Sequence, residues 1–520
     1  METWVIIVIS LCTATLIRTI LSRRSSGKKL PPGPSFIHSN FLLLTTSPLN
    51  FEPILINLKS RYGPLFTLSF GFRTTFYVGN HSLAHQLLIQ KGAVFSDRPK
   101  SVDTRTISTS PYGPTWRTLR RNLASEILHP ARMNSHSWVR EWALQIMIDR
   151  LQQQQQVDGM CTVAEHFQYA MFSLLVLMCF GEKVEESKIN EIIKIQRGLL
   201  LNFATGRFAV LTMFPKLGKI LFKSRLKELE KSRSDRDEVI IPLIKNRIGS
   251  GDHEIRSGTD RIVAYVDTLV NLQLPEEDGD NGNGGRLTYK EMASMCSEFL
   301  NGGTDTTSTA LQWIMANLVK HPHIQSKLYD EIVAVVGPPP QKGMKPELGP
   351  EPEPDLVITE ANVQKMPYLK AVVLEGLRRH PPGHFVLPHR VMKEVEADGY
   401  TVPQGATINF MVGEMGLDPE VWDEPMQFKP ERFLVNDGVF DITGSKGIKM
   451  MPFGAGRRIC PGYDLALLHL EYFVANLIWY FDWSVADGYP VDLSEKTEFT
   501  IVMKNPLRAR VTSRTQERTT

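Results

Sequence analysis

This sequence predicts a large, mainly α-helical fold with small β-sheets, preceded by a single N-terminal transmembrane helix. Three observations carry that expectation. Over residues 116–328 apolar residues recur at helical spacing, with polar interruptions. Short runs of strand-forming residues lie on either side, at 65–70 and 74–78, near 394–410 and again at the carboxyl end. Residues 4–21 are almost wholly apolar, about the shortest run that crosses a bilayer.

Taken in order, the chain begins with that apolar run, broken by Arg18, whose stem can snorkel toward the headgroups. Arg23, Arg24, Lys28 and Lys29 follow it. A cleaved signal peptide carries its basic residues before the apolar run, so this order indicates an anchor. The positive cluster keeps everything after it on the cytosolic side. Pro31, Pro32 and Pro34 then forbid helix and make a stiff connector. The resulting division is a membrane anchor over 1–24, a basic and Pro-rich hinge over 25–40, and one large domain over 41–520. Within that domain a hairpin is expected around Gly71 and a short helix over 82–90. The glutamine run at 152–156 reads as a solvated helix end. The acidic, glycine-rich stretch 276–285 and the proline-rich stretch 337–355 read as surface loops.

Composition bounds the function. Hydrophobic content of 42% and charged content of 22% suit a chain with a sizeable core, and a net charge of +3 gives no basic character that would argue for nucleic acid. Cys12, Cys161, Cys179, Cys296 and Cys460 are far apart, without zinc spacing or a disulfide framework.

The stretch with the most chemistry is Pro452-Phe453-Gly454-Ala455-Gly456-Arg457-Arg458-Ile459-Cys460-Pro461-Gly462. Leu465, Leu468, Leu470, Tyr472, Phe473 and Leu477 continue from it as a helical apolar face, which puts Cys460 at or near a helix N-terminus. Backbone N–H groups and the helix dipole there favour a thiolate. The glycines let the backbone pass close under a flat, bulky group. Phe-x-x-Gly-x-Arg-x-Cys-x-Gly, filled by Phe453, Gly456, Arg458, Cys460 and Gly462, resembles the haem-thiolate loop of the cytochrome P-450 superfamily. The resemblance implies that fold, a haem b cofactor, Cys460 as the axial ligand to its iron, and Phe453 and Arg458 among the cofactor contacts.

Other segments extend the likeness. In Leu300-Asn301-Gly302-Gly303-Thr304-Asp305-Thr306-Thr307 two glycines sit inside a long apolar helix expected over 290–319, each costing up to ~1 kcal/mol relative to Ala. Thr306 lies four residues after Gly302, so its hydroxyl can bond that carbonyl and open the ladder, leaving a groove for a diatomic ligand. The segment resembles the superfamily's oxygen-activation motif, in which Asp305 and Thr306 would relay protons from water to dioxygen. Glu375 and Arg378 share a helix face, and by resemblance Arg432 joins them in a buried clamp with no part in the chemistry. Trp116 and Arg120, four apart, present an indole N–H and a guanidinium to an anion. By resemblance that anion is a haem propionate, with Arg458 and His389 as further donors.

His380 and His384 have metal-like spacing, but Pro381, Pro382 and Gly383 break the helix between them. No nucleotide-binding glycine motif follows a strand, so electrons are expected from a partner. The resemblance, strongest to plant microsomal members of the A-type clan and the family numbered eighty-nine, implies a membrane-bound NADPH-dependent reductase. Arg117, Arg121 and Arg457 are candidate contacts for it. It also implies residence in the endoplasmic reticulum membrane as a single-pass protein facing the cytosol. The expected reaction is a monooxygenation of a hydrophobic small molecule by dioxygen. Two other readings stay open. A haem-thiolate isomerase or lyase would tend to lose the acid–threonine relay, which Asp305-Thr306 keeps. A non-catalytic or substrate-impaired haem-binding protein is conceivable because the link from Arg98 to Trp116 is shorter than the resemblance implies, and that link normally roofs the substrate pocket.

Overall fold

Among the described residues the chain is pinned to its own domain before the first helix starts. The computed structural model describes residues 29–70, 73–99, 105–208, 211, 221–249, 263–275, 285–339, 357–434 and 439–514. Lys29 O accepts from Thr401 N at 2.8 Å, and Pro32 O from Thr67 N at 2.9 Å. Ser35 then caps helix α1 (Phe36–Thr45), so residues 36–40 of the expected hinge are helical. The apolar run 4–21, Gly71, and most of the loops expected at 276–285 and 337–355 lie outside the described residues.

After α2 (Glu52–Tyr62), strands β1 (Leu65–Phe70) and β2 (Arg73–Val78) pair antiparallel. The expected helix at 82–90 is α3 (His81–His85) with a π turn over Gln86–Gln90. The helical body follows: α4 (Pro114–Glu126), α5 (Pro130–Ser135), α6 (Ser137–Asp158), α7 (Val163–Phe180), α8 (Glu186–Ala204), α9 (Lys223–Gly249), α10 (Tyr265–Val270), α11 (Tyr289–Lys320), α12 (Pro322–Val336), α13 (Glu360–Val363) and α14 (Pro367–Arg379). Two-residue β3 (Cys161–Thr162) precedes α7. Later come β4 (His389–Arg390), β5 (Val395–Ala397), β6 (Tyr400–Val402), β7 (Thr407–Phe410), α15 (Val412–Gly416), α16 (Tyr463–Tyr480), β8 (Phe481–Val485), β9 (Glu495–Thr497), β10 (Ile501–Met503) and β11 (Arg508–Ser513). The sheets are small, in the orders β1-β2-β7-β4, β3-β11-β8, β5-β6 and β9-β10.

Helix α11 is the axle. A capping box between Thr288 and Glu291 starts it, and Leu311, Trp313, Ile314 and Met315 are fully buried. It packs on α7, α9, α14 and α16. Helix α7 is long and apolar enough to cross a membrane, but most of it is buried in this core. The Leu300–Thr307 stretch does not interrupt α11, which is helical throughout. The Thr306 hydroxyl bonds the Gly302 carbonyl at 2.7 Å, as the spacing predicts, without opening the ladder. Room beside the helix comes from the missing side chain instead, since a Cβ at Gly302 would meet nothing within 4 Å.

The expected clamp is complete. Arg378 Nε and Nη2 donate to the two Glu375 oxygens at 2.7 and 2.9 Å. Arg432 Nε adds a bond to Glu375 Oε1 at 3.1 Å, and Lys429 N one at 2.7 Å. Arg378 Nη1 is satisfied by Gly416 O at 2.6 Å. Every strong partner of a fully buried charge is therefore present, the condition under which such a group persists.

Candidate active site

Between the clamp's Arg432 and helix α16 the chain makes the loop that carries Cys460. Gly454 and Gly456 have φ of +69° and +70°, values a side chain resists. A Cβ on Gly456 would stand 2.0 Å from Leu88 O, so the loop presses directly on the π turn. Cys460 N donates to Phe453 O at 2.8 Å, closing the loop, and Gly462 caps α16. Cys460 lies deep in the fold yet partly accessible. Burial pushes its thiol pKa up, and the Gly462 N–H and Arg120 pull it back only in part. The helix N-terminus therefore does not by itself outweigh desolvation; a bound cation would, because a coordinating thiol is deprotonated outright.

Facing this sulfur is a cluster of donors. Pro114 opens α4, and one turn inside it lie Trp116 and Arg120. The Trp116 indole is 6% exposed, and its Nε1 is buried with no partner among the described residues. A buried donor left unmade costs about 1–3 kcal/mol, so this atom points to an acceptor that binds there. Arg120 has its pKa lowered by burial, offset by Cys460. The Arg458 guanidinium sits 4.3 Å over the Trp116 ring and donates to Ser96 O, Ile107 O and Ser110 O. Beside it Arg98 donates to Ser108 O, Leu387 O and Pro388 O. Burial drives Arg98 down to about 9 and Arg458 to about 10, and the charge of Arg458 further lowers Arg98. Among the described residues Arg98, Arg120 and Arg458 form no ion pair with a carboxylate. Crowded cations with an orphan indole fit the carboxylates of a haem.

His389 is placed with this group but differs in kind. Its Nδ1 contacts Phe95 O, and burial drives its pKa down to about 3. A neutral ring donating from Nδ1 has no proton on Nε2 to offer. Only a carboxylate brought beside it would favour the doubly protonated ring that can donate twice.

Phe453 lies at the loop's start, 6.3 Å from the Tyr463 ring. Across from the loop, Asp305 and Thr306 occupy successive positions on α11. Burial pushes the Asp305 pKa up, and a hydrogen bond from Thr500 opposes that.

Sequence reasoning missed Glu298, whose two oxygens accept Ile107 N at 2.8 Å and Ser108 N at 2.7 Å. With Arg98 and Arg458 it ties the short link down on both flanks. A carboxylate eight residues before Thr306, in an otherwise apolar helix, was the signal available. Arg98 was visible only as the start of the short link to Trp116.

The Cytochrome P450 family profile matches residues 31–512. Cytochrome P450 89A9 of Arabidopsis thaliana is 45% identical over 501 residues, covering 94% of both chains. Geraniol 8-hydroxylase of Catharanthus roseus is 29% identical over 504 residues, covering 94% of each. Among solved structures, a zebra fish cytochrome P450 with progesterone superposes with a TM-score of 0.71, at 25% identity, covering 89% of this chain and 99% of that one.

Proposed function

We propose, since this chain belongs to the cytochrome P450 family and is an oxidoreductase of the monooxygenase type, that it inserts one atom of dioxygen into a hydrophobic small molecule. The observation that carries this is the glycine-shaped loop that delivers Cys460 opposite a Trp116 indole N–H without a partner among the described residues and three crowded arginines whose pKa values burial lowers. We assign the cofactor as haem b, whose iron the Cys460 thiolate would hold. When bound, it supplies the thiolate-donated electron density that favours O–O cleavage. Trp116, Arg120 and Arg458 would hold its propionates, with His389 joining in its protonated state, and Phe453 would pack against the ring. Thr306, fixed by its bond to Gly302 O, keeps its oxygen beside the open space at that glycine. Asp305, held toward its neutral form by burial, would take up protons from solvent and, with Thr306, relay them to dioxygen.

Electrons would come from a membrane-bound NADPH-dependent reductase, for which the exposed Arg117, Arg121 and Arg457 offer basic contacts on the thiolate side. The apolar run 4–21 followed by Arg23, Arg24, Lys28 and Lys29 supports a single-pass anchor in the endoplasmic reticulum with the catalytic domain in the cytosol. A relative's name, geraniol 8-hydroxylase, accords with hydroxylation of a small molecule.

The test is the carbon-monoxide difference spectrum of dithionite-reduced microsomes containing this chain, beside Cys460→Ala. A strongly red-shifted Soret band that disappears in the variant is expected. An unshifted band in the native chain overturns the reading.

A further inference from the structure

Helix α11 presents Ser297, Asn301, Asp305 and Thr309 at four-residue intervals, one row along a single face. Side chains from two other elements cap that row. Gln196 of α8 accepts from Ser297 Oγ at 2.7 Å and from Asn301 Nδ2 at 2.9 Å. Thr500, in the turn between β9 and β10, meets the other half: its Oγ1 donates to Asp305 Oδ2 at 2.9 Å and lies 3.2 Å from Thr309 Oγ1. A hydroxyl has one proton to give. With that proton on Asp305, Thr309 must donate to Thr500, and the chain runs Thr309 to Thr500 to Asp305.

We propose that Thr500 is a positioning residue for proton handling, holding the Asp305 carboxyl through one hydrogen bond from the β9–β10 turn with Thr309 behind it. This rests on the reading of Asp305 as the group that passes protons.

The turn is fixed by other means, so the hydroxyl arrives in place without help from the acid. Trp313 Nε1 donates to Ile501 O at 2.8 Å, Ile501 N to Pro382 O at 2.9 Å, and Glu498 N to Thr500 O at 2.9 Å. Thr500 and Thr309 are 3% and 5% exposed, so bulk water does not replace them. The charges that face Asp305 are Arg197 on α8, which favours its ionised form, and Glu498 on the turn, which opposes it. Those two lie 3.4 Å apart and largely offset each other. Burial disfavours the carboxylate, and the Thr500 hydroxyl is the largest influence opposing that, in part. Once Asp305 is protonated, the same oxygen can accept instead of donate, so the carboxyl changes state without losing its partner.

The experiment is an infrared titration of the haem-loaded full chain. The carbonyl band of protonated Asp305 is identified by its loss in Asp305→Asn, then followed in Thr500→Val and Thr500→Ser. In Thr500→Val the band should persist to higher pH, with the protonated-to-ionised ratio at fixed pH raised about tenfold. Thr500→Ser should restore the native titration. Product formed per NADPH should follow the same displaced pH profile. An unchanged titration in Thr500→Val, with an intact carbon-monoxide spectrum, overturns the proposal. Should Thr500→Val fail to load haem, Thr309→Val decides: a smaller shift in the same direction supports the chain, and no shift overturns it. Failure of the monooxygenase reading shows separately, as an unshifted carbon-monoxide band in the native protein.

Discussion

Two glycines on opposite sides of the site are held in opposite ways. Gly456, in the cysteine loop, has φ +70° and stands where a Cβ would lie 2.0 Å from Leu88 O. Gly302, on α11, has ordinary helical backbone, and a Cβ there would meet nothing within 4 Å. The first glycine is required by the protein's own packing; the second leaves room beside a threonine hydroxyl. One side of the site is therefore determined by internal shape and the other by what must enter. The same contrast runs outward. Behind the loop a carboxylate is locked between two guanidiniums, Glu375 with Arg378 and Arg432. Over α11, single hydroxyl bonds hold the acid.

The largest effect should come from Gly456→Ala. It combines a strained left-handed residue with a backbone clash, together about 4 kcal/mol. Thermal unfolding and haem content should both fall, and the thiolate carbon-monoxide band should be lost. A variant that keeps its haem and melts normally would break the contrast, because the loop would then have slack.

Glu375→Gln comes next. It leaves two buried guanidiniums short of a counter-charge, a loss of about 3 kcal/mol. Denaturant unfolding measures it, and an unshifted midpoint would mean that the clamp is replaceable by neutral hydrogen bonds.

Gly302→Ala sharpens the comparison by reversing its sign. Alanine in a helix interior is more favourable than glycine by up to ~1 kcal/mol, and no neighbour resists the methyl. Stability should rise slightly while product formed per NADPH drops, since the methyl occupies the space beside Thr306. A variant that gains stability and keeps its coupling would show that this space is not used.

The proximal side was readable in the sequence because its determinants are local. Phe453, Gly456, Arg458, Cys460 and Gly462 lie within ten residues, and the Glu375–Arg378 pair is one helical turn. Trp116 and Arg120 were readable for the same reason. The distal side was readable only along α11 itself. Asp305 and Thr306 stood out as polar residues in an apolar helix, but Thr500 is 195 positions from Asp305 and carries no local mark. The Arg458 guanidinium illustrates the same limit. Its motif position was plain, but its bonds to the carbonyls of Ile107 and Ser110 depend on how the short link folds back. Desolvation was also invisible: the helix N-terminus argued for a thiolate at Cys460, and only burial in the folded chain reverses that balance.

The smallest effect tests what holds the β9–β10 turn. His384 Nδ1 lies 2.6 Å from Glu52 Oε1 on α2, and its Nε2 is 3.6 Å from Glu495 Oε2 on β9. Glu495 also meets His380 Nδ1 at 3.0 Å, and His380, driven to about 4 chiefly by burial, stays neutral while stacked 4.0 Å from Trp313. Burial works against a charged His384, yet the two carboxylates leave its pKa raised. A raised pKa contributes stability that is complete below the unfolded value of about 6.5 and lost as pH rises through the folded one. The native chain should therefore lose stability from near neutrality upward, by less than about 1 kcal/mol, and Glu52→Gln should flatten that loss. Melting temperatures of both proteins across pH 6 to 9 measure it. Superimposable profiles would mean that the turn carrying Thr500 is anchored without the His384 pair, through Trp313 Nε1 to Ile501 O and Ile501 N to Pro382 O. The distal side would then be as firmly fixed as the cysteine loop, and the difference between the two faces would reduce to the space at Gly302.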